Sequence, residues 1–145
     1  MNQLVNKLNQ YLADLNVLYR KLQNFHWNVK GKQFFVLHGK LEEYYDGVND
    51  QIDEVAEAIL MLEGQPLGTM KDYLELSKIK EASNAPISGD DVLNAILEDF
   101  KYVLDSAASI KELADNDKAY MISAMMDDIM ANYMKAIWML KQSRE

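Results

Sequence analysis

Residues 37–62, LHGKLEEYYDGVNDQIDEVAEAILML, carry apolar side chains at Leu37, Leu41, Tyr44, Val48, Ile52, Val55, Ile59 and Leu62. Steps of three and four mark one face of an α-helix, and a run this long without proline predicts a single long helix. It stops at EGQPLG, where Gly64, Pro66 and Gly68 form the densest group of helix breakers in the chain. Upstream, Leu4, Leu8, Tyr11, Leu15, Leu18, Leu22 and Phe25 repeat the spacing as far as a break at Gly31, which predicts a first helix. Downstream, DYLELSKI (72–79) predicts a short helix before the loop SNAPISGDD (83–91). A third long helix carries Val92, Ile96, Phe100, Val103, Ala107 and Ile110, with Ser88 or Asp90 as its cap and an end near ADND (114–117). A fourth runs through Ile122, Met126, Ile129, Tyr133, Ala136 and Leu140.

No period-two alternation competes with these helices, so the expected class is all-α. Two helices, a crossover containing a short extra helix, and two more helices describe a four-helix bundle with a long connection between helices 2 and 3. Among bundles, one long crossover is the ferritin-like arrangement. The 145 residues are expected to form a single domain over 1–145, and a chain of this size buries a substantial core.

A net charge of −8 opposes a phosphate-binding surface, which needs clustered Lys and Arg. Through residue 19 the only cationic side chain is Lys7, so DNA binding is not expected. The chain has no cysteine, which excludes disulfides and thiolate metal sites and suits a reducing compartment. No segment reads as a secretory leader or as about 20 uninterrupted apolar residues. A cytoplasmic location without membrane insertion is therefore expected.

Both histidines, His26 and His38, flank the Gly31 break. Imidazole with carboxylate is a ligand set for iron, manganese or zinc, and the candidates are His26, His38, Glu42, Asp53 and Glu57. His38 and Glu42 are four apart on one helix, as are Asp53 and Glu57, so each pair projects from neighbouring turns. Glu42 and Asp53 return to nearly the same face but lie about 16 Å apart along the axis. If both pairs serve one site, they come from different chains, with the second helix antiparallel to its counterpart about a two-fold axis. Spacing alone leaves the alternatives open: a histidine on an apolar face is commonly a hydrogen-bonded core residue, and carboxylates four apart a solvated face.

NFHWNVKG (24–31), FFVLHGKLEE (34–43), YDGVNDQIDEVAEAI (45–59), GQPLGTM (64–70), DYLELSKIKEAS (72–83) and KAIWML (135–140) together resemble the Dps family of ferritin-like mini-ferritins. The resemblance runs over nearly the whole chain. It implies a hollow dodecamer with ferroxidase centres at two-fold interfaces, which oxidises Fe(II), preferentially with hydrogen peroxide and less readily with oxygen, and stores an Fe(III) mineral. His26, His38 and Glu42 then fall on the metal and catalytic ligands of one subunit, and Asp53 and Glu57 on those of its two-fold partner. Position 42 is aspartate in some members and glutamate in others. The resemblance also brings Trp27 close to the centre, as packing residue or redox neighbour. It implies acidic three-fold pores, for which Asp115, Asp117, Asp127 and Asp128 are the available carboxylates, an acidic solvated surface being the alternative.

Met121, Met125, Met126, Met130, Met134 and Met139 read as core and interface filling rather than a soft-metal site, and Trp138 as a packing residue. Two other function classes remain: a DNA-binding nucleoid-protection protein, and a structural bundle without metal chemistry.

Overall fold

The computed structural model describes residues 2–144. Helix α1 (Asn2–Asn28) buries Leu4, Leu8, Tyr11, Leu15, Leu18, Leu22 and Phe25 as their spacing predicts. It also buries Leu12, Asp14 and Val17 on other faces, because α1 is packed by three further helices. A two-residue strand β1 (Val29–Lys30) and a turn lead into α2 (Phe34–Met61). Gly31 sits in that turn with φ +116°, a backbone conformation that glycine adopts without the clash of a Cβ.

Helix α2 runs unbroken through His38, Glu42, Asp53 and Glu57. Its end closes with Glu63 in the left-handed region and the Gly64 N–H donating to the Ile59 carbonyl at 2.9 Å. A Cβ on Gly64 would lie 2.9 Å from Val5, so the missing side chain lets the crossover approach α1. The crossover contains α3 (Met70–Leu76), which starts two residues before the expected segment and stops three short. Thr69 explains the start, since its hydroxyl accepts from the Asp72 N–H at 3.2 Å. After a second two-residue strand, β2 (Ile87–Ser88), come α4 (Gly89–Asn116) and α5 (Tyr120–Gln142). Of the two cap candidates Ser88 serves, accepting from Asp91 N–H at 3.2 Å.

Pairing of α1 with α2 and of α4 with α5 makes two hairpins, joined through α1 against α4. Strands β1 and β2 pair in parallel, Val29 opposite Ile87 and Lys30 opposite Ser88. Two residues per strand are too few for any alternation to be legible, so this pairing departs from the strand-free expectation. It fixes the end of α1 beside the start of α4, so α4 runs back along α1 and the crossover traverses the length of the bundle.

Polar side chains of α1 hold the crossover down. Asn9 donates to the Gln65 carbonyl and accepts from the Leu67 N–H. The fully buried Asp14 accepts from Ser77 Oγ at 2.9 Å, Lys78 N–H at 2.8 Å and Tyr102 Oη at 2.7 Å. Asn24 donates to the carbonyls of Ala82 and Ser83. Inside the bundle, the half-buried Gln51 bridges the buried hydroxyls of Tyr11 and Tyr133. Burial drives both phenols well above their ordinary range.

Candidate metal centre

The α1–α2 turn brings the two histidines face to face. Their rings stack with centroids 3.7 Å apart and planes 11° from parallel. His26 Nδ1 lies 2.6 Å from the His38 carbonyl oxygen, and His38 Nδ1 lies 2.8 Å from the His26 carbonyl oxygen. A carbonyl oxygen only accepts, so each Nδ1 carries the proton and donates. A neutral ring held in this tautomer keeps its lone pair on Nε2, the state a metal-ligating imidazole requires. Phe34 stacks on His38 at 4.9 Å, and Tyr45 stands edge-on to His26 at 5.3 Å. Both rings are thus braced by aromatic neighbours and by reciprocal hydrogen bonds.

Glu42 lies beside His26. Its Oε1 lies 3.8 Å from His26 Nε2, with the carboxylate side chain 56% exposed against 8% for the histidine. A buried nitrogen therefore faces an open carboxylate at the surface, and this nitrogen and oxygen donor set fits iron. Asp53 and Glu57 are exposed further along α2, and neither enters an ion pair or hydrogen bond among the described residues. Among the described residues of the protomer, no three His, Asp or Glu side chains converge on one point. Asp53 lies about 16 Å from Glu42 along the same unbroken helix.

Trp27, beside His26, is 59% exposed, with the Arg20 guanidinium 5.9 Å from its ring centroid. Trp138 is 60% exposed within the protomer. Of the α5 methionines only Met126 is fully buried; Met125 and Met130 pack at the edge of the core, and Met121, Met134 and Met139 are exposed.

The acidic residues at the α4–α5 turn divide. Asp127 pairs with Lys111 Nζ at 2.9 Å, and the same ammonium donates to Ser123 Oγ and lies 4.0 Å from Asp115. Asp117 caps α4. Asp128 faces another way, into a groove of about 380 Å³ between α2, α4 and α5 that also borders Glu43, Asp50 and Glu54. Sequence reasoning missed this groove and the Lys111 pairing, since both depend on how α5 is rotated against its neighbours. It also missed Tyr45, whose signal was its seven-residue distance from His38.

Comparison with known proteins adds an independent line. The ferritin-like domain family matches residues 5–144. The chain is 42% identical over 139 residues to "DNA protection during starvation protein 2" of Bacillus anthracis, covering 96% of this chain and 94% of that one. With the "DNA protection during starvation protein" of Helicobacter pylori it shares 36% identity, covering 89% and 90% of the two chains. Among solved structures, a Dps protein from Bacillus brevis superposes with a TM-score of 0.95 at 35% identity, over 99% of this chain and 96% of that one. A Vibrio cholerae O1 protein, described as a member of a broad superfamily of ferritin-like diiron-carboxylate proteins, superposes with a TM-score of 0.93 at 36% identity, over 97% and 88%.

Proposed function

The chain belongs to the Dps branch of the ferritin-like family, and from that premise we propose that it is a ferroxidase that stores and detoxifies iron. Iron enters as substrate: Fe(II) is oxidised, preferentially by hydrogen peroxide, and retained as Fe(III) mineral inside a dodecameric shell. The observation that carries the reading is the stacked His26–His38 pair, whose two Nδ1 protons are tied to backbone carbonyls so that both Nε2 lone pairs remain for metal, beside the open carboxylate of Glu42.

In this reading the centre is shared between two subunits. One face of α2 presents Phe35, Glu42, Asp46, Asn49, Asp53 and Leu60, with His38 and Glu57 on its flanks. An antiparallel α2–α2 pair with its two-fold axis level with the midpoint of residues 47 and 48 sets Glu42 opposite Asp53 of the partner subunit. The same axis sets His38 opposite Glu57 of the partner subunit, and Phe35 opposite Leu60 of the partner subunit. One register therefore completes two identical centres and covers the exposed apolar ends of α2, where Phe35 is 88% and Leu60 55% exposed.

Each group has a definite task. The imidazoles supply neutral nitrogen donors, and the carboxylates compensate the charge gained as Fe(II) becomes Fe(III). Because Glu42 is exposed and the acidic half arrives from another chain, the centre stays open enough for product to leave, unlike a closed structural site. Cations would reach the shell interior past the carboxylates at the α4–α5 turn, Asp115, Asp117 and Asp127, with Lys111 tempering their field, while Asp128 faces the α2–α5 groove. The exposed Tyr120, Met121, Met134 and Trp138 of α5 offer further subunit contacts. No helix among the described residues is long and apolar enough to cross a membrane, and a cysteine-free chain suits the cytoplasm.

Anaerobic loading with Fe(II), followed by peroxide or dioxygen, tests the reading through the growth of Fe(III) absorbance. Wild type is expected to turn over faster with peroxide, and His38→Ala and Asp53→Ala to fall to the rate seen without protein. Wild-type rates in both variants would refute the assignment.

A further inference from the structure

We propose that metal occupancy of the shared centres is what closes the α2–α2 contact, so that the iron substrate itself tightens the pairing of subunits. The proposal rests on the shared-centre reading above and adds to it a linkage between metal binding and assembly.

The observation is the charge of the face on which two copies meet. Helix α2 carries seven carboxylates and a single ammonium, Lys40. Lys40 stands about 120° round the helix from Asp46 and is already engaged, 4.0 Å from Glu43 and 5.2 Å from the Tyr44 ring centroid. The face itself presents Glu42, Asp46 and Asp53, with Glu57 on its flank, all exposed and with no cation of α2 beside them. Apart from Glu42, these side chains have no hydrogen-bond or ion-pair partner among the described residues, and neither has Asn49 on the same face. Of the α1 cations nearest His26 in sequence, Lys21 is held by Asp99 at 2.7 Å and Arg20 leans on Trp27.

In the register about the midpoint of residues 47 and 48, each centre brings Glu42 together with Asp53 and Glu57 of the partner subunit. The two imidazoles offset none of this charge, because each donates its Nδ1 proton to a carbonyl and keeps a lone pair on Nε2. Nearest the axis, Asp46 falls opposite Asn49 of the partner subunit, whose amide donates a hydrogen bond but carries no charge. Four carboxylates on each subunit thus confront four on the other, with no facing ammonium from α2. Like charges moved out of water repel more strongly than they do in it, and their juxtaposition across a contact opposes association. The apolar ends, where Phe35 meets Leu60 of the partner subunit, favour closure. The acidic middle resists it.

A divalent cation at each centre turns that repulsion into attraction, since carboxylates of both chains then face a positive charge. Its donors come from two subunits, so its affinity is high only while the subunits are together. Linkage makes the effect reciprocal: metal tightens the pair by the same factor by which pairing tightens the metal. Pairs that hold iron are thereby locked, and metal-free pairs part and exchange partners.

The test follows exchange between isotope-labelled and unlabelled assemblies by native mass spectrometry, at about 0.01 M salt, where charge is little screened. Exchange of intact pairs yields only even numbers of labelled subunits, so an odd number records the parting of a pair. Protein stripped with a chelator is expected to develop odd counts. Zinc, a redox-inert ion suited to the same donors, should slow their appearance at least about tenfold. Asp46→Asn removes two carboxylates from each contact without touching a proposed ligand, and should slow metal-free parting several-fold. Glu98→Gln, an equal change of charge at an exposed position of α4, should leave it unchanged. The proposal is overturned, and the shared centre left intact, by any of three results: no odd counts in metal-free wild type, equal parting rates with and without zinc when equilibrium dialysis finds zinc bound, or equal effects of the two variants. Wild type that binds no zinc in dialysis overturns both.

Discussion

A mixture of two inactive variants offers the sharpest measure of the shared centre. His38→Ala removes a ligand from the histidine half and leaves the acidic half of the same chain intact; Asp53→Ala does the reverse. In a dimer of either variant alone, both centres lack a ligand. In a mixed dimer, one centre combines the two defects and the other combines the two undamaged halves. Random pairing of equal amounts makes half the dimers mixed, each with one good centre of two, so activity should recover to about one quarter of wild type. The unbroken α2 helix underlies this figure, because it holds Glu42 and Asp53 too far apart for one chain to supply both halves. The assay is initial Fe(II) oxidation with peroxide after the variants are co-unfolded and reassembled, with subunit ratios checked by mass spectrometry. Recovery indistinguishable from zero in properly assembled hybrids would refute the two-fold sharing.

Three further outcomes follow from the fold. Asp14→Ala removes the acceptor of the Ser77 hydroxyl, the Lys78 N–H and the Tyr102 phenol, and should cost about 3–5 kcal/mol from lost bonds to a buried carboxylate; a change below about 1 kcal/mol in urea unfolding at fixed protein concentration would contradict the anchoring role. Asp99 lies 2.7 Å from the Lys21 ammonium, and burial raises its carboxyl above the ordinary range despite that partner. A raised folded pKa means the folded state binds this proton more tightly than the unfolded chain, so the group's contribution is complete below about pH 4 and falls as pH rises through the raised value. Lys21→Met with Asp99→Leu should therefore leave stability at pH 7 unchanged or higher, whereas Asp99→Ala alone should lower it by about 3 kcal/mol by leaving a buried ammonium unpaired; equal losses from both, read by thermal unfolding, would exclude that account. With a net charge of −8, the assembled protein should not retard DNA in gels at physiological salt without divalent metal, and a retarded band would contradict the charge argument.

The four long helices were legible because apolar spacing at three and four residues is a local property that the bundle only had to accept. Leu4 to Phe25 bury where their periodicity places them, as do Leu37, Leu41, Val48, Val55 and Ile59 with Tyr44 and Ile52 half-buried beside them, and Gly31 stands where the chain needs a positive φ. The short helix was misjudged at both ends because Thr69 caps it from outside the apolar run, and the β1–β2 pair was missed because its partners lie 58 residues apart in the chain. That Trp138 stands 60% exposed on the protomer could not be read from the sequence, because the side of α5 it occupies is set by the packing of α5 on α4.

The candidate centre divides along the same line. Sequence alone marked His26, His38, Glu42, Asp53 and Glu57 as candidate nitrogen and oxygen donors for iron, manganese or zinc, and it separated Glu42 from Asp53 by about 16 Å, since helix rise converts residue number into distance. Tertiary structure decided the protonation pattern of His26 and His38, which depends on two carbonyls twelve residues distant coming within 2.6 and 2.8 Å. It also decided that Asp127 is paired with Lys111 and that Tyr45 touches His26. Those facts depend on how each helix is rotated about its axis, which emerges only when all four apolar faces are satisfied together.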